Sequence, residues 1–460
     1  MKKPIGVLLL FVLTLCAVLP TLAAAPVTQE YKLENGLKII VREDHRAPVV
    51  VVQVWYLVGG IDESNGTSGV AHVLEHMMFK GTKEVLPGQF SKIIAANGGK
   101  DNAFTNRDYT TYFAQLRNDK LDLALKLEAD RMTNLTFSDE DFWKEIKVVM
   151  EERRLRTEDN AHSIVYEQLV ANAYNAHPYG RPVIGFMNDL ENMKPADARE
   201  WYKRWYSPNN ATLVVVGDVN HQDVLALADK YFGPLKPQAL PERKPQTEPP
   251  QLGVKRITVK AQAELPYIAM AYHAPVLKDA AKDWEPYALQ LLMGVLDGNE
   301  SARLNKTLVR DSRIASSAGA GYDAVERGPG MIVVDGTPSE GKTVAELEIA
   351  LRAQLEKVKA EGVTEDELQR VKSQIIAGQV FGLDSMFGQA MQIGRTENAG
   401  FSWRDLDVML ERLRAVTADQ VKQVAQKYLQ DDRLTVAILD PQPVEKVPPR
   451  PAPEGLRHSQ

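Results

Sequence analysis

The chain has one cysteine in 460 residues, Cys16, and it lies inside an apolar run near the amino terminus. Leu15 precedes it, whereas a lipid-attachment cysteine would follow a small residue. A chain matured past that point has no thiol. Disulfide frameworks, thiolate metal sites and cysteine nucleophiles are excluded together. An excess of one charge is also missing: 55 Lys and Arg stand against 61 Asp and Glu, a formal net of −6. Such a mixture gives no electrostatic case for nucleic acid or an anionic membrane. Beyond the first 25 residues no hydrophobic run is long enough to span a bilayer.

Those first 25 residues combine Lys2-Lys3, the apolar run IGVLLLFVLTLCAVL and the small residues of TLAAAP. The order predicts a secretory signal peptide, residues 1–25, cut near Ala23 to Ala25. An exported protein, periplasmic or secreted, is the expectation.

The whole chain is 44% hydrophobic, and what remains is long enough for two cores. Prolines cluster in GPLKPQALPERKPQTEPPQLG and mark residues 236–254 as a linker. It separates an N-terminal domain, 26–235, from a C-terminal domain, 255–440. The proline-rich residues 441–460 are expected to be a disordered tail. The halves resemble each other. YSPNNATLVVVGD, from Tyr206, matches YLQDDRLTVAILD, from Tyr428, without a gap. FSDEDFWKEIKVVMEE parallels VTEDELQRVKSQIIAG, with Ser138 and Thr364 at the same N-cap position. A duplicated α+β domain is predicted, with strands and helices in the same order in each half.

Polar groups break the repeat. SGVAHVLEHMMFKGT places His72 and His76 four residues apart with Glu75 between them. On a helix, residues i and i+4 share a face, so two ring nitrogens can aim at one point. Neutral imidazole is a zinc ligand, and the order His-x-x-Glu-His is the inverted metalloprotease helix motif, its glutamate the general base. A catalytic zinc takes a third protein ligand. The remaining histidines offer no polar cluster, so the candidate is the acidic helix with Glu145, Glu151 and Glu152. Glu145 and Glu152 are two turns apart on one face, and Glu151 points about 100° away. In the second half those two positions are Val371 and Gly378, and the histidine motif is absent. The polar groups are therefore additional to what the fold requires.

These motifs, with NAFTNRDYTTY, HPYGRPVIG and SARL in the same order, resemble the pitrilysin/insulinase family of zinc metallopeptidases in its shorter bacterial form, akin to mitochondrial processing peptidase subunits. The resemblance covers nearly the whole mature chain. It implies two homologous α+β domains, each a mostly antiparallel sheet packed against helices, together half of a clamshell. It implies one zinc per chain, held by His72, His76 and Glu152, the last 75 residues after the second histidine. Glu145 would orient the ligands, and Glu75 would be the base in peptide-bond hydrolysis. Asn102, Ala103 and Phe104 fall on the family's edge strand, where a peptide substrate pairs as an added strand. Arg310 matches the first member of a substrate-holding Arg–Tyr pair, but Ser317 stands where the tyrosine would be. A single half cannot close a chamber. A related partner chain without zinc but with the full pair is therefore expected, a heterodimer in preference to a homodimer. Two other readings stay open: a catalytically silent scaffold or processing chaperone, and a zinc-storage or sensing protein.

Overall fold

The computed structural model describes residues 27–443; the expected signal peptide and the tail from residue 444 lie outside the described residues. The first half contributes β1 (Thr28–Lys32), β2 (Lys38–Glu43), β3 (Val49–Tyr56), β4 (Lys100–Thr105), β5 (Thr110–Arg117) and β6 (Ala211–Gly217). Its helices are α1 (Val70–Met77), α2 (Gln89–Ala96), α3 (Leu121–Asn134), α4 (Asp139–Arg153), α5 (Ala161–Ala173), α6 (Met187–Asn192), α7 (Pro195–Trp205) and α8 (His221–Phe232). The second half contributes β7 (Lys255–Gln262), β8 (Tyr267–Ala274), β9 (Ala315–Gly321), β10 (Gly330–Pro338) and β11 (Leu434–Gln442). Its helices are α9 (Glu285–Asp297), α10 (Val344–Glu361), α11 (Glu365–Gly382), α12 (Met386–Asn398), α13 (Asp405–Ala415) and α14 (Ala418–Tyr428).

The sheets have the orders β1-β2-β6-β3-β5-β4 and β7-β11-β8-β10-β9. Without β1, the two orders are the same. Each sheet has one parallel pair, β2 with β6 and β7 with β11, and is otherwise antiparallel. The duplication extends to the caps. Ser138 and Asp141 close a capping box at the start of α4, and Thr364 and Glu367 close the same box on α11. β11 runs to Gln442, two residues into the segment expected to be tail.

β3 is buried along nearly its whole length because both of its faces are covered. Val50, Val52 and Val54 face the core that contains α1 and α3. Val51 and Trp55 point the other way, toward Met386, Ala390 and Ile393 of α12. α12 belongs to the second half of the chain. The exchange is reciprocal. Val165, Leu169 and Val170 of α5, from the first half, cover Ala269, Ala271 and Leu439 on the outer face of the second sheet. Three such side chains are worth roughly 5 kcal/mol or more on burial. Each half thus borrows a helix for the second face of its sheet. The residues between α8 and β7 carry no regular element, as their prolines dictate.

Candidate metal centre and active site

α1 starts on Gly69, whose φ of +87° is left-handed. A Cβ there would lie 2.6 Å from the carbonyl oxygen of Ile184, so only glycine lets the two chains approach. The Glu63 carboxyl accepts from the N–H groups of Gly69 (2.8 Å) and Ala71 (2.9 Å). Ser68 is fixed by Asp189, its hydroxyl donating over 2.6 Å. With its N-terminus held by these groups, α1 is buried along its full length.

α4 crosses α1 and brings the third donor. His72 Nε2 lies 3.8 Å from Glu152 Oε1, and His76 Nε2 lies 3.4 Å from Glu152 Oε2. The three ligand atoms all lie within 4.8 Å of one another. His72, His76 and Glu152 are 5%, 2% and 1% exposed. Among the described residues no other group of three such side chains converges in this way. Donors at about 2.0–2.1 Å from a tetrahedral zinc stand about 3.3 Å apart, so the two shorter separations fit a common ion with little movement.

Behind the donors, His76 Nδ1 lies 3.0 Å from Glu145 Oε1. A carboxylate only accepts, so this contact keeps a ring hydrogen on Nδ1, and in the neutral imidazole it makes Nε2, on the Glu152 side, the lone-pair nitrogen. Lys80 holds the other side of Glu145 in an ion pair. Arg156 Nη1 reaches Glu152 Oε1 at 2.8 Å from the π-helical turn Arg154–Glu158 that follows α4. Glu75 is 1% exposed and accepts from the Thr105 hydroxyl at 2.5 Å. Three buried carboxylates therefore face two cationic side chains.

Ionisation follows from this crowding. Burial opposes charge on His76, but Glu145 and Glu152 outweigh it and hold the imidazolium up to about 9. Burial likewise opposes charge on Glu152, but His76, His72 and Arg156 hold its carboxyl down to about 2. Glu145 is also held below the usual carboxylate range, against burial, by His76 and Lys80. The cluster demands positive charge, which a divalent cation supplies more fully than a proton.

His72 and Glu75 line a cavity of about 370 Å³ together with Phe104, Thr105, Arg156 and Val183. A larger cavity, about 770 Å³, lies under the linker near Asp62 and Lys278, away from these groups. β4 is the outermost strand of its sheet, so one of its edges meets no strand among the described residues. Asn102 and Ala103 pair inward with Phe113 and Tyr112 of β5, and Phe104 stands edge-on to Trp55. Of the residues singled out on β4, Phe104 lines the cavity with His72 and Glu75. Arg310 does not. It sits on the π-helical turn Asn305–Asp311, largely exposed, and lines no part of this cavity. Glu151 points away from the centre and pairs with Arg154.

Sequence reasoning missed Thr105, Lys80 and Arg156. Lys80 and Arg156 carried a signal, since each stands four residues after a centre residue, His76 and Glu152. Thr105 carried none, because its contact with Glu75 crosses 30 residues. In the second half the corresponding helix pair is apolar. Val371 packs against Gly294, where a Cβ would fall 2.4 Å from Val371 Cγ1.

Fold and site together define a class: a duplicated α+β protein whose first half, alone among the described residues, carries a helix-borne cluster that could hold a metal ion. Residues 38–186 match the family model described as Insulinase (Peptidase family M16), and residues 192–375 match that of the Peptidase M16 inactive domain. A zinc protease of Helicobacter pylori, PqqE, is 32% identical over 450 residues, 96% of this chain and 99% of that one. The crystal structure of a protease from Helicobacter pylori superposes with a TM-score of 0.86 at 31% identity, over 91% of this chain and all of the other. The periplasmic protease PqqL of Escherichia coli shares the fold, with a TM-score of 0.76 at 20% identity. That match covers 90% of this chain but 47% of PqqL. The chain belongs to the insulinase family of peptidases, M16.

Proposed function

We propose that the protein is a zinc-dependent endopeptidase that hydrolyses unfolded or short peptides. The observation that carries this reading is the buried convergence of His72, His76 and Glu152, with Glu75 on the same helix and tied to the edge strand through Thr105. The name of the Helicobacter pylori relative, a zinc protease, supports it.

A zinc ion held by these three side chains would act as a Lewis acid on the scissile carbonyl and acidify a water to near neutrality. The chain's own residues do the rest. Glu145 fixes the His76 tautomer and ring orientation. Glu75 takes the proton of the attacking water and delivers it to the leaving amine nitrogen. Thr105 holds Glu75 Oε2 and so aims the carboxylate. The outer edge of β4, at Asn102 to Phe104, takes the peptide as an added strand through main-chain hydrogen bonds, with little demand on side chains. Arg310 would meet substrate only across a closed chamber.

We further propose export to the periplasm after removal of residues 1–25, domains at 26–235 and 255–440, and action as one half of a heterodimer. No helix among the described residues is long and apolar enough to cross a membrane. The chain matches about half of PqqL, and a second half supplied by another polypeptide is part of this proposal. Ser317 in place of the expected tyrosine favours a related partner without zinc ligands but with the Arg–Tyr pair.

The test is hydrolysis of an unstructured peptide by the purified mature chain, with zinc content measured alongside. Glu75→Gln should lower the rate by about 10²–10⁴-fold while one zinc per chain stays bound. Retained activity, or stoichiometric loss of zinc, contradicts the assignment of Glu75 as base. Adding the partner chain should raise turnover per zinc; full activity of the isolated chain, unchanged by the partner, contradicts the heterodimer.

A further inference from the structure

Beside the metal centre lies a second cavity of about 540 Å³ that shares Arg156, Thr157 and Val183 with the first. Its cations are Arg107, Arg156 and Arg181, and its one carboxylate is Glu167. Glu167 is already committed, accepting both 2.9 Å hydrogen bonds from Arg153. Arg181 is anchored by the Glu63 carbonyl (2.7 Å) and Arg156 by Glu152. Arg107 is different. It lies over the Tyr179 ring, 5.1 Å from the centroid, and has no carboxylate within ion-pair distance among the described residues. Glu326 acts on Arg107 by charge and lines two smaller cavities with it but not this one, and burial holds its carboxyl up to about 7. His162 and Tyr267, stacked at 4.0 Å and 14°, also line the cavity.

Position makes this cavity relevant to the reaction. Arg107 follows Thr105 by two residues, at most about 7 Å of chain, and Thr105 touches Glu75. A peptide paired along β4 leaves the strand at this end. A guanidinium in a half-buried cavity is best answered by a carboxylate, which it binds bidentately.

We propose that this cavity is a subsite for a peptide carboxylate, with Arg107 as its specificity-determining residue. The proposal rests on the peptidase reading above. The carboxylate is either an Asp or Glu side chain close to the scissile bond or the free C-terminus of a short substrate.

The experiment uses three peptides of one sequence: the parent with a Glu near the cleavage point and a free C-terminus, its Gln analogue, and its C-terminal amide. kcat/KM is measured for the zinc-loaded protein and for Arg107→Gln, with zinc content and melting temperature as controls. The parent should be preferred about tenfold or more over one analogue, and that analogue identifies the source of the carboxylate. Arg107→Gln should bring the ratio close to one, and Arg107→Lys should restore it only in part. Equal losses on all peptides, or a ratio unchanged by the substitution, overturn the subsite. If Arg107→Gln does not fold, the wild-type preference must still collapse as salt is raised; a salt-independent ratio overturns the proposal equally. Binding of the same peptides to the Glu75→Gln protein separates the two readings. Carboxylate-dependent binding without wild-type hydrolysis would sink the peptidase and leave the subsite. Binding that ignores the carboxylate would sink the subsite alone.

Discussion

His76 Nδ1 and Glu145 Oε1 stand 3.0 Å apart, on two helices that meet only because α4 crosses α1. The contact selects which ring nitrogen faces the other candidate donors, so it would act on a bound metal ion without touching it. Glu145→Gln keeps the shape but can offer the ring an N–H in place of an acceptor. Zinc affinity should fall about 10–100-fold with little change in melting temperature. A competition titration against a chelator checks this.

Glu152→Gln should cost far more zinc than Glu151→Gln. Glu152 is buried at the meeting point of the two imidazoles, whereas Glu151 lies outside the donor set beside Arg154. Metal analysis after dialysis of both variants gives the answer. Equal zinc content in the two would refute the choice of ligand.

Acid should weaken the contact between the halves. Arg46 first and then Gln389 of α12, acting against burial, hold the Asp44 carboxyl down to about 2, from an ordinary 3.8. Gln389 Nε2 donates to Asp44 Oδ2 over 2.7 Å. A folded-state pKa below the unfolded one stabilises above the unfolded value, and the gain disappears as pH falls through the folded one. The window is thus roughly pH 4 to 2, and the group is worth about 1–2 kcal/mol at neutral pH, allowing for the exposed Arg46. Asp44→Asn should lower stability at pH 7, and the difference should shrink below pH 4 and vanish only below about pH 2. Denaturant midpoints across this range would show it.

Gly394→Ala should destabilise the fold more than an exposed alanine substitution does. A Cβ at 394 would lie 2.0 Å from the Trp55 indole, and both faces of β3 are already filled. Overpacking of this kind costs typically about 1–3 kcal/mol. Thermal unfolding is the measurement, and an unchanged melting temperature would show that α12 docks less tightly than its contacts imply.

Much of the site was legible because it is local. His72, Glu75 and His76 fall within one helical segment, where spacing alone sets the face. Glu145 and Glu152 share a face for the same reason. The duplication was legible because each half contrasts with the other: Val371 against Gly294 shows what this helix pair looks like when packing is its only task. Thr105 was not legible, nor was the gathering of Arg107, Arg156 and Arg181 around one cavity. These depend on which strand ends beside which helix.

The sequence by itself determined the candidate histidine pair and acidic face, their helical register, the capping boxes and the repeated order of strands and helices, since each follows from side chains a few residues apart. The proline-rich segment and the matching stretches from Tyr206 and Tyr428 also pointed to two domains. Only the tertiary structure decided that Glu152 meets the two imidazoles and that β4 ends against Glu75. It also decided that α5 and α12 cross over to cover each other's sheets. Hydrophobic burial is non-directional: the pattern of β3 demands that both faces be covered but does not say by which helix. That choice is made by shape, down to the missing Cβ of Gly394 against Trp55.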